Sequence, residues 1–184
     1  MPRRTSTDWV RLAAPAAVVL VTAPAAYANR YLTVEEAQRL AFPEATQFVE
    51  AHIVFRPADV AAIERLSGQR VRTRGQQVWK AMGAGRLLGF FVVDYVIGKH
   101  AVIDYSVALE LDGRVKAVEV LEYREAYGSE ITSHSWLHQF DGKTSRDPVT
   151  IDKDIRNISG ATLSSEHVTE GVKRILAFYE TCLR

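Results

Sequence analysis

Near the C-terminal end, Ser159, Gly160, Ala161 and Thr162 run into Leu163, Ser164 and Ser165, and then into an apolar stripe of Val168, Val172, Ile175, Leu176 and Tyr179. The three- and four-residue spacing of that stripe predicts an amphipathic helix. Ser164 is a good N-cap for it, with Leu163 placed to staple onto Val168. Small residues then sit just ahead of a helix N-terminus. Unpaired backbone N–H groups and the positive end of the helix dipole favour an anion there, phosphate above all. A capped surface turn satisfies the same pattern. Other candidate chemistry is thin. His134 and His138 are four apart but lack a third ligand at a metal-binding spacing, and His52, His100 and His167 are isolated. The single Cys182 excludes an internal disulfide, a Cys-pair zinc site, an iron–sulfur cluster and a Cys-x-x-Cys-His haem attachment. We read no metal site and no catalytic triad from the sequence.

The elements that must position the motif are mostly strands. Thr33-Val34-Glu35-Glu36 reads as a capping box opening a short helix through Leu40, which Phe42-Pro43 breaks. A strand follows over Gln47 to Phe55, and Pro57 begins a second helix, Ala58 to Leu66, that ends at Gly68. Gln76 to Met82 and Leu87 to Ile97 are rich in Val, Phe, Trp and Tyr and are joined by Gly83-Ala84-Gly85. The glycine pattern here misses the dinucleotide-loop spacing and leads into a strand, so it is a hairpin turn. Ile103 to Leu111 and Val115 to Tyr123 flank a second tight turn at Asp112-Gly113. The hairpins imply an α+β fold: a single domain with a largely antiparallel sheet and flanking helices.

With these elements in place, Ser159-Gly160-Ala161-Thr162, followed by Leu-Ser-Ser and a helix, resembles the flavinylation motif of the FMN-binding domain family. That family includes the C subunit of the sodium-translocating quinone reductase and the G subunit of the Rnf complex. The resemblance extends over roughly residues 85–180, through the order strand, Asp-Gly hairpin, strand, Glu-containing loop, Gln-Phe-x-Gly and Ser-Gly-Ala-Thr. It implies FMN held covalently, through its phosphate, on Thr162 by an FAD-dependent FMN transferase. Two departures mark a divergent branch. Arg156 stands where the family has an acidic residue three before the Ser, with Asp154 two residues further back; and Glu125-Ala126-Tyr127-Gly128 keeps only the Glu and one Gly of the family's loop. A flavin ring needs an apolar wall and a few polar groups. Tyr127, Trp136 and the backbone at Gly128 are candidates for the wall, and Glu125 for a polar contact. Ser159, Gly160 and Ala161 are small enough to let backbone approach the phosphate. Leu163 and Ser164 complete the expected site. Core packing is the competing role for Tyr127 and Trp136.

Residues 1–28 have the layout of a secretory signal peptide. Arg3, Arg4 and Arg11 precede an apolar run, and Ala26-Tyr27-Ala28 offers a cleavage site before Asn29. Pro15 and Pro24 interrupt that run, which argues against a retained anchor. We read residues 29–75 as an N-terminal extension and 76–184 as the FMN-binding domain. The whole chain has 23 Lys+Arg against 22 Asp+Glu, so nothing in its charge argues for nucleic acid. The expected function is that of an exported, periplasmic electron carrier. It would pass electrons between a membrane-bound redox partner and an extracytoplasmic acceptor, and is more a carrier than an independent enzyme. The alternatives are a cofactor-free docking module of a membrane redox complex and a flavin-dependent reductase of a small substrate.

Overall fold

The computed structural model describes residues 29–184, so the leader expected over 1–28 lies outside the described residues. Helix α1 (Val34–Ala41) opens on the reciprocal capping box foreseen at Thr33 and Glu36, with the Thr33 N–H donating to Glu36 Oε2 at 2.8 Å. Helix α2 (Pro57–Ser67) starts on its proline and ends at Gly68 in the left-handed conformation. Before, between and after them run strands β1 (Asn29–Arg30), β2 (Gln47–Val54), β3 (Gly75–Gly83), β4 (Arg86–Ile97), β5 (Val102–Glu110) and β6 (Val115–Tyr123). Among the described residues these make one six-stranded sheet in the order β1-β6-β5-β4-β3-β2, every pair antiparallel. A short turn of helix, α3 (His134–Leu137), precedes the long α4 (Thr162–Phe178), which continues into a π-helical turn over Tyr179–Leu183. The architecture is the single-domain α+β layout expected, a sheet with flanking helices.

Alternation along the strands gives the sheet two apolar faces. Phe90, Val92 and Val96 of β4 join Ile103, Tyr105 and Val107 of β5 beneath α4, whose Val168, Val172, Ile175 and Leu176 are all buried. Ile63 of α2 closes one side of this core. The opposite face is smaller: Ala37, Ala41 and Phe42 cover Ala81, Phe91, Ala108 and Leu121. Gly89 makes that cover possible, since a Cβ there would lie 2.8 Å from the Phe42 ring.

A buried polar triad fastens α4 to the sheet. The hydroxyl of Tyr105 donates to Asp94 Oδ2 at 3.0 Å, and Arg174 Nη2 meets the same oxygen at 2.6 Å. Burial, reinforced by the Asp94 charge, pushes the Tyr105 phenol well above its usual value, so it remains a neutral donor. Burial opposes the charge on Arg174, but Tyr105 and Asp94 outweigh it and hold the guanidinium protonated. Among the described residues no helix is long and apolar enough to cross a membrane.

Candidate functional site

Three chain segments converge at the N-terminal end of α4. The motif itself enters through a turn in which the Ala161 N–H donates to the Ile158 carbonyl at 3.0 Å. Gly160 occupies the third position of that turn with φ +88°, where a side chain would be strained. The helix begins at Thr162, not after Ser164: Ala161 is the N-cap. Ser164 and Ser165 are turned inward and buried. The Ser165 hydroxyl donates to Asn157 Oδ1 at 2.8 Å, eight residues upstream, which ties the turn to the helix it leads into. Thr162 is thereby the first helical residue, exposed, with the N–H groups of Thr162, Leu163 and Ser164 beyond the reach of any intrahelical acceptor.

The second segment is the loop after β6. Gly128 adopts φ +85°, and a Cβ on it would lie 2.5 Å from the Cβ of Ala161, so loop and motif touch through two small residues. The buried Tyr123 hydroxyl donates to the Tyr127 carbonyl and holds this loop from below. Tyr127 itself is 85% exposed beside the cleft.

The third segment, the tight turn from β4 to β5, went unread in the sequence. Gly98 is buried where a Cβ would meet both Glu125 Oε1 and Ser164 Oγ. Glu125 Oε1 accepts the backbone N–H groups of His100 and Ala101, the latter at 2.9 Å. Glu125 is therefore a clamp on this turn. Burial raises its carboxyl pKa, but hydrogen bonds from Ala101, His100 and Lys99 more than offset that and hold it below the usual range. Its stabilisation is present above the ordinary carboxylate range and disappears as pH falls through the lowered folded value. Glu125→Gln should cost about 1 kcal/mol at neutral pH, allowing for partial exposure. It should also flatten the acid limb of a urea-stability profile, while an unchanged limb would mean that the clamp carries no charge-dependent stability.

Together the segments enclose a cleft of about 490 Å³, walled by Lys99 and His100, by residues 125–127 and by residues 160–164. Of the residues singled out in the sequence, Glu125, Tyr127, Gly160, Ala161, Thr162, Leu163 and Ser164 line it, and Gly128 supports it. Ser159 is exposed in the entry turn. Trp136 is not in the wall. It is buried, its indole N–H donates to the Arg156 carbonyl at 2.7 Å, and its ring meets Phe140 edge-on. It anchors the segment leading to the motif. Asp154 is engaged away from the cleft, bound to Lys143 at 2.8 Å and to the Val149 and Thr150 N–H groups. His138 pairs with Asp141, and no group of metal-ligating side chains occurs among the described residues.

A helix N-terminus with three N–H groups unpaired among the described residues, a lysine, and glycines where backbone comes close are features that suit a phosphate-bearing ligand. Residues 98–177 match the family model described as the FMN-binding domain. The chain is 30% identical over 113 residues to the G subunit of the ion-translocating oxidoreductase complex of Stutzerimonas stutzeri, an alignment covering 55% of this chain and 50% of that protein. This chain thus spans about half the length of that relative. Its fold resembles the crystal structure of NqrC from Shewanella oneidensis, with a TM-score of 0.54 and 20% identity over 78% of this chain and 84% of the other. Over residues 98–177 the chain is therefore similar to the FMN-binding domain family.

Proposed function

We propose that this chain is an exported electron-transfer protein whose FMN is joined through its phosphate to Thr162. The observation that carries the reading is the position of Thr162: an exposed hydroxyl on the first turn of α4, at the wall of a cleft of about 490 Å³, beside three unpaired N–H groups. The residues present suit the group. The N–H groups of 162–164 and the Lys99 ammonium would hold the phosphate, Gly160 and Ala161 leave room for backbone approach, and Tyr127 and Leu163 would offer apolar cover at the rim. FMN, when bound, takes up and releases one or two electrons. The protein's share is to hold it in place and set the polarity around it.

Attachment would join the Thr162 hydroxyl oxygen to the phosphorus of the FMN half of FAD, with the pyrophosphate bond broken, AMP as leaving group and the hydroxyl proton released. The step would belong to an FAD-dependent FMN transferase. The basic and apolar pattern of residues 1–28 supports export to the periplasm, where a covalent tether prevents loss of a dilute cofactor. The named complex of the Stutzerimonas relative supports a membrane redox partner for the relay to an extracytoplasmic acceptor. Intact mass of exported protein from a transferase-containing host tests the reading. The expected mass exceeds the leaderless chain by one FMN less one water. A well-folded, bare polypeptide would overturn the covalent link and leave a docking module.

A further inference from the structure

A second cleft lies where the sheet forks. β3 and β4 pair only between Val78–Val92 and Gly83–Arg86. Beyond that point β3 stays with β2 as far as Gly75, while β4 stays with β5 as far as Ile97. The bond from the Gly98 N–H to the Ala101 carbonyl fixes which backbone groups of β4 point at β5. By alternation, those of Val93, Tyr95 and Ile97 point into the fork. The Val93 carbonyl accepts Gln76 Nε2 at 2.6 Å, and the Ile97 carbonyl takes His167 Nδ1 at 2.6 Å. Between them, the N–H and carbonyl of Tyr95 pair with no described residue. This is an open strand edge inside a cleft of about 400 Å³.

The loop from α2 to β3 crosses the mouth of the fork. Arg70 and Arg72 line it, alternating with Val71, which packs on the core. Both arginines are exposed, and neither is in an ion pair with a described residue. Their backbone is fixed: the Gln69 N–H donates to Ser67 Oγ at 3.0 Å, and the Val71 N–H to Glu64 Oε1 at 3.0 Å. The acidic groups facing the cleft are Asp94, already neutralised by Arg174, and Glu170. Two exposed guanidinium groups carried on a hydrogen-bonded loop, next to an unpaired backbone donor and acceptor, suit a ligand with a charged oxyanion and an adjoining hydrogen-bonding group.

We propose that this fork binds a small organic anion, a carboxylate or phosphate ester, with its charge at Arg70 and Arg72 and its polar body on the open edge at Tyr95. The site is separate from Thr162 and does not depend on the flavin reading. Flavin-free Thr162→Ala protein, titrated with succinate and separately with inorganic phosphate, tests it through amide and arginine side-chain chemical shifts. Saturable shifts at the Tyr95 N–H and Arg72 Nε are expected. The double variant Arg70→Gln/Arg72→Gln should weaken binding by about tenfold or more without altering the melting temperature, because both side chains are exposed. Glu170→Gln should tighten it. Stronger binding of succinate marks a carboxylate ligand, and stronger binding of phosphate marks a phosphate ester. Shifts confined to Lys99 and residues 162–164, or equal affinity in the double variant, would overturn the proposal. So would loss of probe binding in the flavinylated wild type, since the fork would then be part of the flavin's own site.

Discussion

Thr162→Ala is expected to give a protein that folds like its parent and carries no acid-stable flavin. The hydroxyl is the single point of attachment in the proposed ester, so the loss of covalent cofactor should be complete. The fold should barely register the change. Thr162 is exposed on the first helical turn, its own N–H has no intrahelical partner to lose, and alanine is the better helix former. Urea unfolding should therefore move by no more than about 0.5 kcal/mol. In-gel fluorescence of denatured protein reads the first effect and a denaturation curve the second. Persistent fluorescence would place the tether on another side chain; a large stability loss would mean that Thr162 is structural.

The second large effect is on stability, at Gly171. A Cβ there would lie 2.1 Å from the Tyr105 hydroxyl and 3.2 Å from Val96 Cγ1. Tyr105 cannot swing aside, because it is fully buried and bonded to Asp94, which Arg174 also holds. Gly171→Ala must lift α4 from the sheet or break the triad. Overpacking costs about 1–3 kcal/mol and a broken buried hydrogen bond about 1–3 kcal/mol, against roughly 1 kcal/mol gained in helix propensity. The net expectation is a loss of about 2–4 kcal/mol by chemical denaturation. Pairing it with Tyr105→Phe, which deletes the clashing oxygen, should recover part of that loss in a double-mutant cycle. Strictly additive losses would show that the two residues do not press on each other.

The sheet was largely legible because its signals are local. Enrichment in Val, Phe, Trp and Tyr marked β3 and β4, alternation marked β5 with β6 as its return strand, and Asp112-Gly113 and Gly83-Ala84-Gly85 marked the turns. Pro57, Gly68 and the Thr33–Glu36 box set helix limits that the structure keeps to within a residue or so. The start of α4 differs from the expected one for a physical reason. Serine ranks high as an N-cap, but Ser165 spends its hydroxyl on Asn157, and Ser164 is buried against the β4–β5 turn. Tertiary partners overrode the local preference. The sequence left Trp136 open between flavin wall and core packing and gave no hint that Glu125 clamps a neighbouring turn, because both depend on contacts 20 or more residues away. Lys99 carried no signal except its place in a short hairpin beside a glycine. The fork between β3 and β4 is a failure of two strands to stay paired, and periodicity within either one says nothing of it.

The stretch shared with the family begins at Gly98, just after β4 has ended. Cut loose at that boundary, it would take β5 without the neighbour that covers one whole side of its ladder, and α4 without the Asp94 that anchors Arg174. Such a fragment would present a nine-residue strand with a mostly buried, apolar sequence to any chain able to pair with it, and self-association is the foreseeable fate. The stretch that matches the family model is thus smaller than the unit that can stand alone. Transplanting the Ser159–Thr162 motif into another host would require carrying over the preceding strands as well.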